Sequence, residues 1–356
     1  MNSLFTKVTL LASMMAIMQP VAFAQGSGKK VEKYPAIAFG PAAGKTAADY
    51  KFGFSFGGIA SYADPIPGMA DLAAAELGIP KITVQTPQNW VQNEQNQKLD
   101  GLIASGVKGV FMMTSEPTAG NAQITKMVSA GIPVVTMGGP PELPSKSTVT
   151  LATEAPKAAY DGTIALIKAM GEKGNLVALI PMLNDTNTQK RLTGIKEAVA
   201  KYPNVKLLQT LADMENTENA MTSLGDLLAA RGKEVDGLMC AGYTAAVTCA
   251  TFMVKPEYAH IKSVGFDTDP KVMAAIKSGK MTGAMSQNPW GQGYISMYTL
   301  KMLVDGWTYK KGQPEVINSG SFLINKDNVD KYEQMIKDET FKIMATWTDR
   351  FDPPKK

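Results

Sequence analysis

The sequence predicts an α/β protein built from two doubly wound parallel sheets. From residue 50 onward, short apolar runs alternate with amphipathic stretches of ten or more residues, a pattern typical of βαβ units. The apolar runs are hydrophobic at successive positions, so both faces of each sheet are expected to be covered by helices. The series is complete once before residue 138 and begins again after residue 147, which predicts two lobes of the same construction.

The first series supplies four strands and three helices. The strands are expected at 52–56, 82–86, 110–114 and 134–137, and the helices at 66–77, 91–104 and 119–130. The second series supplies strands at 176–180, 206–210, 237–239, 264–266 and 280–286, with helices at 156–170, 190–202, 220–230 and 244–252. A helix at 291–304 and a short strand at 321–323 complete the pattern. Such sheets bind ligands beyond the carboxyl ends of their strands, so two facing lobes would share one cleft.

The first 24 residues are typical of a secretory signal peptide. One lysine, Lys7, precedes an apolar run at 8–22, and Ala22-Phe23-Ala24 forms a cleavage site before Gln25. The run is shorter than the roughly 20 residues that a spanning helix needs. We therefore expect cleavage after Ala24 and a periplasmic protein without a membrane anchor, the alternative being an anchor that is retained.

Residues 25–49 are rich in Gly, Lys, Ala and Pro, and are predicted to be a flexible lead-in. Within them, the segment 40–46 resembles a phosphate-binding loop, but its glycines are four apart rather than five. No dinucleotide motif occurs, so no cofactor is expected. The formal net charge of +4 is spread without basic runs, which indicates no nucleic-acid partner.

Catalytic chemistry has little support in the sequence. His260 is the only histidine, in a predicted loop, so neither a nucleophilic triad nor a histidine metal site can be assembled. We expect no enzyme and no metal. Cys240 and Cys249 leave two interpretations open: a disulfide, which the periplasm permits, or two small buried side chains, which their expected places on a strand and a helix favour.

The candidate ligand-binding residues follow the predicted strands. They are mostly carboxylates, amides and aromatic side chains, the groups that bind hydroxyls and sugar faces. Asp64 has an alternative role as a helix cap before Pro65. The full set is Ser61, Tyr62, Asp64, Glu116, Gly138, Gly139, Glu154, Asn184, Asn187, Gln189, Met214, Tyr243, Asp267 and Gln287.

Three segments, 131–136, 263–267 and 278–289, carry a resemblance to a known family. In their order and spacing the chain resembles periplasmic sugar-binding proteins of the ribose-binding and autoinducer-2-binding kind, from about residue 50 to 332. The resemblance implies two lobes that close around a ligand by a hinge of three crossings. The crossings are expected near 153–156, 287–289 and 312–316. The N-terminal lobe would comprise 50–153 and 289–312, and the C-terminal lobe 154–288 and 313–350.

The resemblance also implies roles for particular residues. Asp267 matches the family's hydroxyl-binding aspartate, Gln287 its hinge-side amide, and Tyr62 falls near its stacking aromatic residues. Asn184, Asn187 and Gln189 lie in the segment that usually supplies a polar or arginine contact.

Two departures distinguish this chain from ribose-binding members. Gly138-Gly139 stands where those members have an Asp-Arg pair, and Met214 stands where they have an aromatic residue. Trp90 or Trp290 either replaces the missing ring or belongs to a lobe core. A ligand other than ribose or galactose is therefore expected.

The function implied is that of a monomeric solute-binding protein that delivers a sugar or polyol to the permease of an ABC importer. A receptor for a chemosensory or sensor-kinase partner would use the same cleft and is the alternative. A sugar-responsive repressor would need a helix-turn-helix where this chain has its signal sequence.

Overall fold

The computed structural model describes residues 30–31, 33–183 and 185–355; the predicted signal peptide and Asn184 lie outside them. The strands are β1 (Lys30–Val31), β2 (Tyr34–Ala38), β3 (Phe52–Ser55), β4 (Thr83–Val84), β5 (Gly109–Met112), β6 (Val134–Gly138), β7 (Thr150–Ala152), β8 (Gly174–Leu179), β9 (Val205–Leu211), β10 (Gly237–Cys240), β11 (Lys262–Phe266), β12 (Gly283–Met285), β13 (Thr308–Tyr309), β14 (Val316–Asn318), β15 (Leu323–Asn325) and β16 (Phe351–Asp352). The helices are α1 (Pro65–Leu77), α2 (Gln92–Ala104), α3 (Gly120–Ser129), α4 (Ala155–Ala169), α5 (Thr186–Val199), α6 (Thr217–Arg231), α7 (Tyr243–Met253), α8 (Pro270–Lys277), α9 (Pro289–Val304) and α10 (Tyr332–Ala345).

The N-terminal lobe contains a six-stranded parallel sheet in the order β4-β3-β5-β6-β7-β14. Its strands are apolar on both faces because helices cover both: Phe54 and Phe111 stack with centroids 5.0 Å apart in the core beneath α1 and α9. A second cluster, which includes Leu99 and Ile124, fills the space under α2 and α3. The strand order reverses between β3 and β5, which opens a crevice at their carboxyl ends.

The C-terminal lobe repeats this order as β9-β8-β10-β11-β12-β15, with β15 antiparallel to β12. Helices α4 and α5 pack on one face, and α6, α7 and α8 on the other. The prediction of two doubly wound lobes is confirmed. The crevice of this sheet lies between β8 and β10.

Three connections join the two sheets: β7 to α4, β12 to α9, and β14 to β15. The first two lie where they were expected. The third follows Asn318 rather than residues 312–316, because Val316 pairs with Thr150 and extends the N-terminal sheet by one parallel strand.

The C-terminal segment departs from the expected division at residue 313. Besides β14, the segment from α10 onward packs on the N-terminal lobe, where Trp347 and Phe351 are buried in the core. Trp347 Nε1 donates to Thr299 Oγ1 of α9 at 3.0 Å. Placing 313–350 in the C-terminal lobe was therefore wrong for β14 and for 341–350, because their apolar side chains pack into the core around α9.

The lead-in was also misjudged within the described residues. Strands β1 and β2 form a hairpin, and Tyr34 and Ile37 are buried against the N-terminal core. Farther on, the backbone N–H of Ala42 donates to Tyr50 Oη at 2.9 Å. Tyr34 and Ile37 anchor this segment to the lobe. They are too few and too widely spaced to give a periodic pattern in the sequence.

Cys240 and Cys249 are free and buried in the core of the C-terminal lobe, as the packing interpretation had it. Across the described ranges, no helix combines the length and apolarity that a bilayer crossing requires.

A buried ion pair stabilises the base of the N-terminal lobe. Lys301 is fully buried in α9, and its Nζ lies 2.5 Å from Asp305 Oδ2. Tyr50 Oη also donates to Asp305, and the Lys301 ammonium lies 5.3 Å from the Tyr50 ring centroid. The buried ammonium is thus paired with a carboxylate, which also accepts a hydrogen bond from Tyr50.

Asp305→Ala should lower the free energy of unfolding by about 3–5 kcal/mol, because it leaves the Lys301 ammonium buried and unpaired. The matched control is Asp330→Ala, which removes the partner of an exposed lysine, Lys277, and should be near neutral. Urea unfolding monitored by circular dichroism measures both. Equal effects of the two changes would contradict the assigned role.

Candidate functional site

A cavity of about 430 Å³ lies between the lobes at the carboxyl ends of both sheets. A smaller compartment of about 200 Å³ adjoins it and shares Tyr62, Tyr243, Asp267 and Gln287 as lining residues. The segments that follow β3, β4 and β5 and the end of β6 form the N-terminal wall. The segments that follow β8, β9, β10, β11 and β12, with the start of α5, form the opposite wall.

Aromatic side chains line the N-terminal wall. The Phe56 and Trp90 rings meet edge to face with centroids 5.5 Å apart, and Phe56 lies 6.1 Å from Tyr62. Trp90 lies over the backbone of Gly57 and Gly58, where an added Cβ would come within 2.6 Å of the indole. The two glycines therefore let this ring pack over the loop. Trp290 instead stacks on Tyr294 at 5.3 Å, away from the cavity.

Two buried glutamines fix the loop that carries Glu116. Gln95 Nε2 donates to Met113 O at 2.7 Å, and Gln95 Oε1 accepts from the Ser115 N–H at 2.8 Å. Gln92 Oε1 accepts from the Glu116 N–H at 2.9 Å. The two side chains at the start of α2 thus provide hydrogen-bond partners for backbone groups of the loop after β5.

Arg191 is the cleft residue that the sequence reasoning missed. Its Nη1 donates to Ala241 O at 2.9 Å and its Nη2 to Gln287 Oε1 at 3.2 Å, with Cζ 4.9 Å from the Phe266 ring centroid. A signal was present, because Asn187 and Arg191 are four residues apart and share a face of α5. Arg191 supplies from the C-terminal lobe the guanidinium that Gly138-Gly139 lacks.

Asp267 is the most constrained carboxylate of the site. It is only 7 % exposed, and its backbone adopts a φ of 70°. Its Oδ1 accepts from Gln287 Nε2 at 2.8 Å. Burial raises the pKa of Asp267 to about 6, although Arg191 and the Gln287 hydrogen bond act in the opposite direction.

Two further groups of the C-terminal wall have raised pKa values. Desolvation raises the pKa of Glu215, which Arg191 partly offsets. Tyr243 Oη donates to Asp269 Oδ2 at 2.6 Å, and burial raises the pKa of Tyr243 to about 12. Tyr243 is thus a neutral hydroxyl between the two compartments.

The structure brings many of the sequence-predicted residues to this cleft. The main cavity is lined by Tyr62, Glu116, Gly138, Gly139, Asn187, Tyr243, Asp267 and Gln287, and Ser61 lines the smaller compartment. Sequence reasoning did not select Phe56, Met113, Ser115, Pro181, Met182, Arg191 or Glu215, which also line the main cavity.

Four predicted residues lie elsewhere, and Asn184 lies outside the described residues. Asp64 and Glu154 are exposed and immediately precede α1 and α4. Gln189 is exposed, with its Nε2 donating to Leu183 O at 3.0 Å. Met214 is buried in the C-terminal core. Residues that start a helix or pack into the core also follow strands. Their place in the sequence therefore does not distinguish them from residues that line the cavity.

The family can now be assigned. The chain matches the periplasmic binding protein domain over residues 52–308. It belongs to this family. Among curated members, it is 23 % identical over 236 residues to a xylitol-binding protein of Mycolicibacterium smegmatis, and 24 % identical over 195 residues to a D-apiose import binding protein of Paraburkholderia graminis. These alignments cover 66 % and 55 % of this chain, and the chain spans only 66 % and 62 % of the two relatives.

Solved structures of the family show the same fold. An ABC transporter solute-binding protein from Burkholderia graminis, in complex with D-arabinose, is 24 % identical with a TM-score of 0.73, covering 81 % of this chain and 99 % of its own. One from Actinobacillus succinogenes with bound D-allose is 20 % identical with a TM-score of 0.73, covering 79 % and 99 %. The two-lobed architecture is therefore that of the family.

The lobes approach each other at Gly139, where an added Cβ would lie 3.0 Å from Asn187 Nδ2. Gly139→Leu should hold the lobes apart, because its longer side chain would occupy the space that the amide fills. Small-angle X-ray scattering should show a larger radius of gyration than that of the parent protein. Adding Asn187→Ala should reverse the increase, and an unchanged radius in Gly139→Leu would contradict this close approach.

Asp267→Asn should stabilise the ligand-free protein by about 2–3 kcal/mol at pH 7.5. A carboxyl whose folded pKa is about 6, against an ordinary 3.8, disfavours folding wherever it is ionised, and the amide removes that cost. The difference in free energy of unfolding between the variant and the parent protein should be largest above about pH 6.5. It should decrease towards zero as the pH falls to about 4. Urea unfolding across this range measures it, with the exposed Asp327→Asn as control. If Asp267→Asn were less stable than the parent protein at pH 7.5, this would contradict a raised pKa of Asp267.

Proposed function

We propose that this chain is a periplasmic solute-binding protein that encloses a small polyhydroxylated molecule, a sugar or polyol, and delivers it to an ABC importer. The observation that carries the proposal is the facing of aromatic and hydrogen-bonding groups across one cavity. Phe56, Tyr62 and Trp90 lie on one side, and Arg191, Asp267 and Gln287 on the other.

The chemistry of these groups fits alternating faces of a sugar or polyol. Aromatic rings pack against C–H groups, while carboxylate, amide and guanidinium groups accept from and donate to hydroxyls. A volume of about 430 Å³ accommodates a monosaccharide or an acyclic polyol. The xylitol, apiose and arabinose in the names of similar proteins support the same class.

Binding rather than turnover is the proposed role. His260, the one histidine of the chain, interacts with Gly232 O at 3.1 Å and does not line the cavity. Asp267 is held as a hydrogen-bond acceptor. Its backbone adopts a positive φ, and its Oδ1 accepts a hydrogen bond from Gln287. The protein is proposed to act as a monomer, with export through the signal peptide at 1–24 and the importer's permease as partner.

A thermal-shift screen tests the proposal with pentoses, hexoses, tetritols, pentitols, inositols, amino sugars and amino polyols. A ligand at about 100 times its Kd should stabilise the mature protein by about 2.7 kcal/mol. In Asp267→Ala the shift should vanish while the circular dichroism spectrum is unchanged. Absence of any shift in the parent protein would overturn the sugar or polyol assignment, and turnover of a bound sugar detected by mass spectrometry would overturn the binding role.

A further inference from the structure

The cavity carries more negative charge than the protein neutralises within it. Glu116, Asp185, Glu215 and Asp267 line it, and among the described residues Arg191 is its one cationic side chain. Over those residues, none of the four carboxylates forms an ion pair. Asp185 is held by Thr188, whose N–H and hydroxyl donate to its Oδ2. Four carboxylates against one guanidinium leave an excess of three negative charges when all are ionised.

Arg191 is already engaged by other groups. Two of its N–H groups donate to Ala241 O and to Gln287 Oε1, and its plane lies against Phe266. Arg191 lines the same cavity as Glu215 and Asp267, and its charge lowers the pKa values of both carboxylates. It does not hydrogen-bond either carboxylate, and therefore leaves acceptor oxygens facing the cavity.

Asp267 presents the clearest of these acceptors. Although the residue is more than nine-tenths buried, its Oδ2 accepts no hydrogen bond from the described residues, while Oδ1 is held by Gln287. Glu215 lines the same cavity from the same lobe, and its charge contributes to the raised pKa of Asp267. Tyr62 and Tyr243 line the same region, and aromatic faces attract cations.

Resting on the proposed function, we propose that the ligand is an amino sugar or amino polyol whose ammonium group binds between Glu215 and Asp267. An ammonium offers three donors and a positive charge, which suits two carboxylates that lack a cation of their own. A neutral hydroxyl offers one donor and leaves the excess negative charge uncompensated.

Isothermal titration calorimetry at pH 7.5 compares ligands that differ only at nitrogen. One set is 1-amino-1-deoxysorbitol, its N-acetyl derivative and sorbitol; the other is D-glucosamine, N-acetyl-D-glucosamine and D-glucose. In the set that binds, the amine should bind about tenfold to a hundredfold more tightly than its neutral members, as for a charge-assisted hydrogen bond. Neutral members that bind as tightly as the amine overturn the inference and leave the proposed function standing. Failure of every member of the wider screen overturns both.

Glu215→Gln locates the ammonium. It should reduce the preference for the amine about tenfold, because the amide is isosteric but uncharged. The matched control is Glu218→Gln, an exposed glutamate at the start of α6 that does not line the cavity; its amine preference should equal that of the parent protein. An unchanged preference in Glu215→Gln overturns the assigned position.

Discussion

The buried amide of Asn288 connects the segments on which the two lobes turn. Its Nδ2 donates to Ser319 O at 2.6 Å and to Thr340 Oγ1 at 2.9 Å, while its Oδ1 accepts from the Gly291 N–H at 2.6 Å. One side chain thus joins the second connection between the sheets, the third connection and α10. An unsatisfied buried polar group costs about 1–3 kcal/mol, so these segments are constrained to stay together. Thr340 connects α10 to this network.

The same network reaches the ligand cavity. Gln292, one turn after Asn288, donates to Ser319 Oγ at 3.0 Å and accepts from Tyr62 Oη at 2.9 Å. Gln287, directly before Asn288, holds both Asp267 and Arg191. A ligand that moves either Tyr62 or Asp267 therefore acts on groups bonded to the hinge. The cavity and the connections between the lobes are therefore linked by one set of hydrogen bonds.

Sequence patterns predicted the elements that depend on local periodicity. They did not predict the elements and contacts that depend on packing between distant segments. The strands of both sheets were visible as apolar runs, and Asp267 followed from its place after β11. Strand β14 was missed because Val316 is exposed and gains its place only by pairing with Thr150. Gln92 and Gln95 hydrogen-bond the backbone of a cleft loop that lies far from them in sequence, so no local pattern marks this role. Arg191 was missed because the strand-end criterion does not reach the second turn of a helix.

The electrostatics of the cleft follow from the same architecture. Parallel strands of two sheets direct their carboxyl-end loops into one space, and these loops carry Glu116, Glu215 and Asp267. Their burial raises the pKa values of Glu215 and Asp267, so the unliganded cleft retains charge at the expense of stability. Gly138 and Gly139 line the same cavity and add no charge to it. A ligand that brings hydrogen-bond donors or positive charge into this cavity would meet acceptors from both lobes, Glu116 on one side and Glu215 and Asp267 on the other.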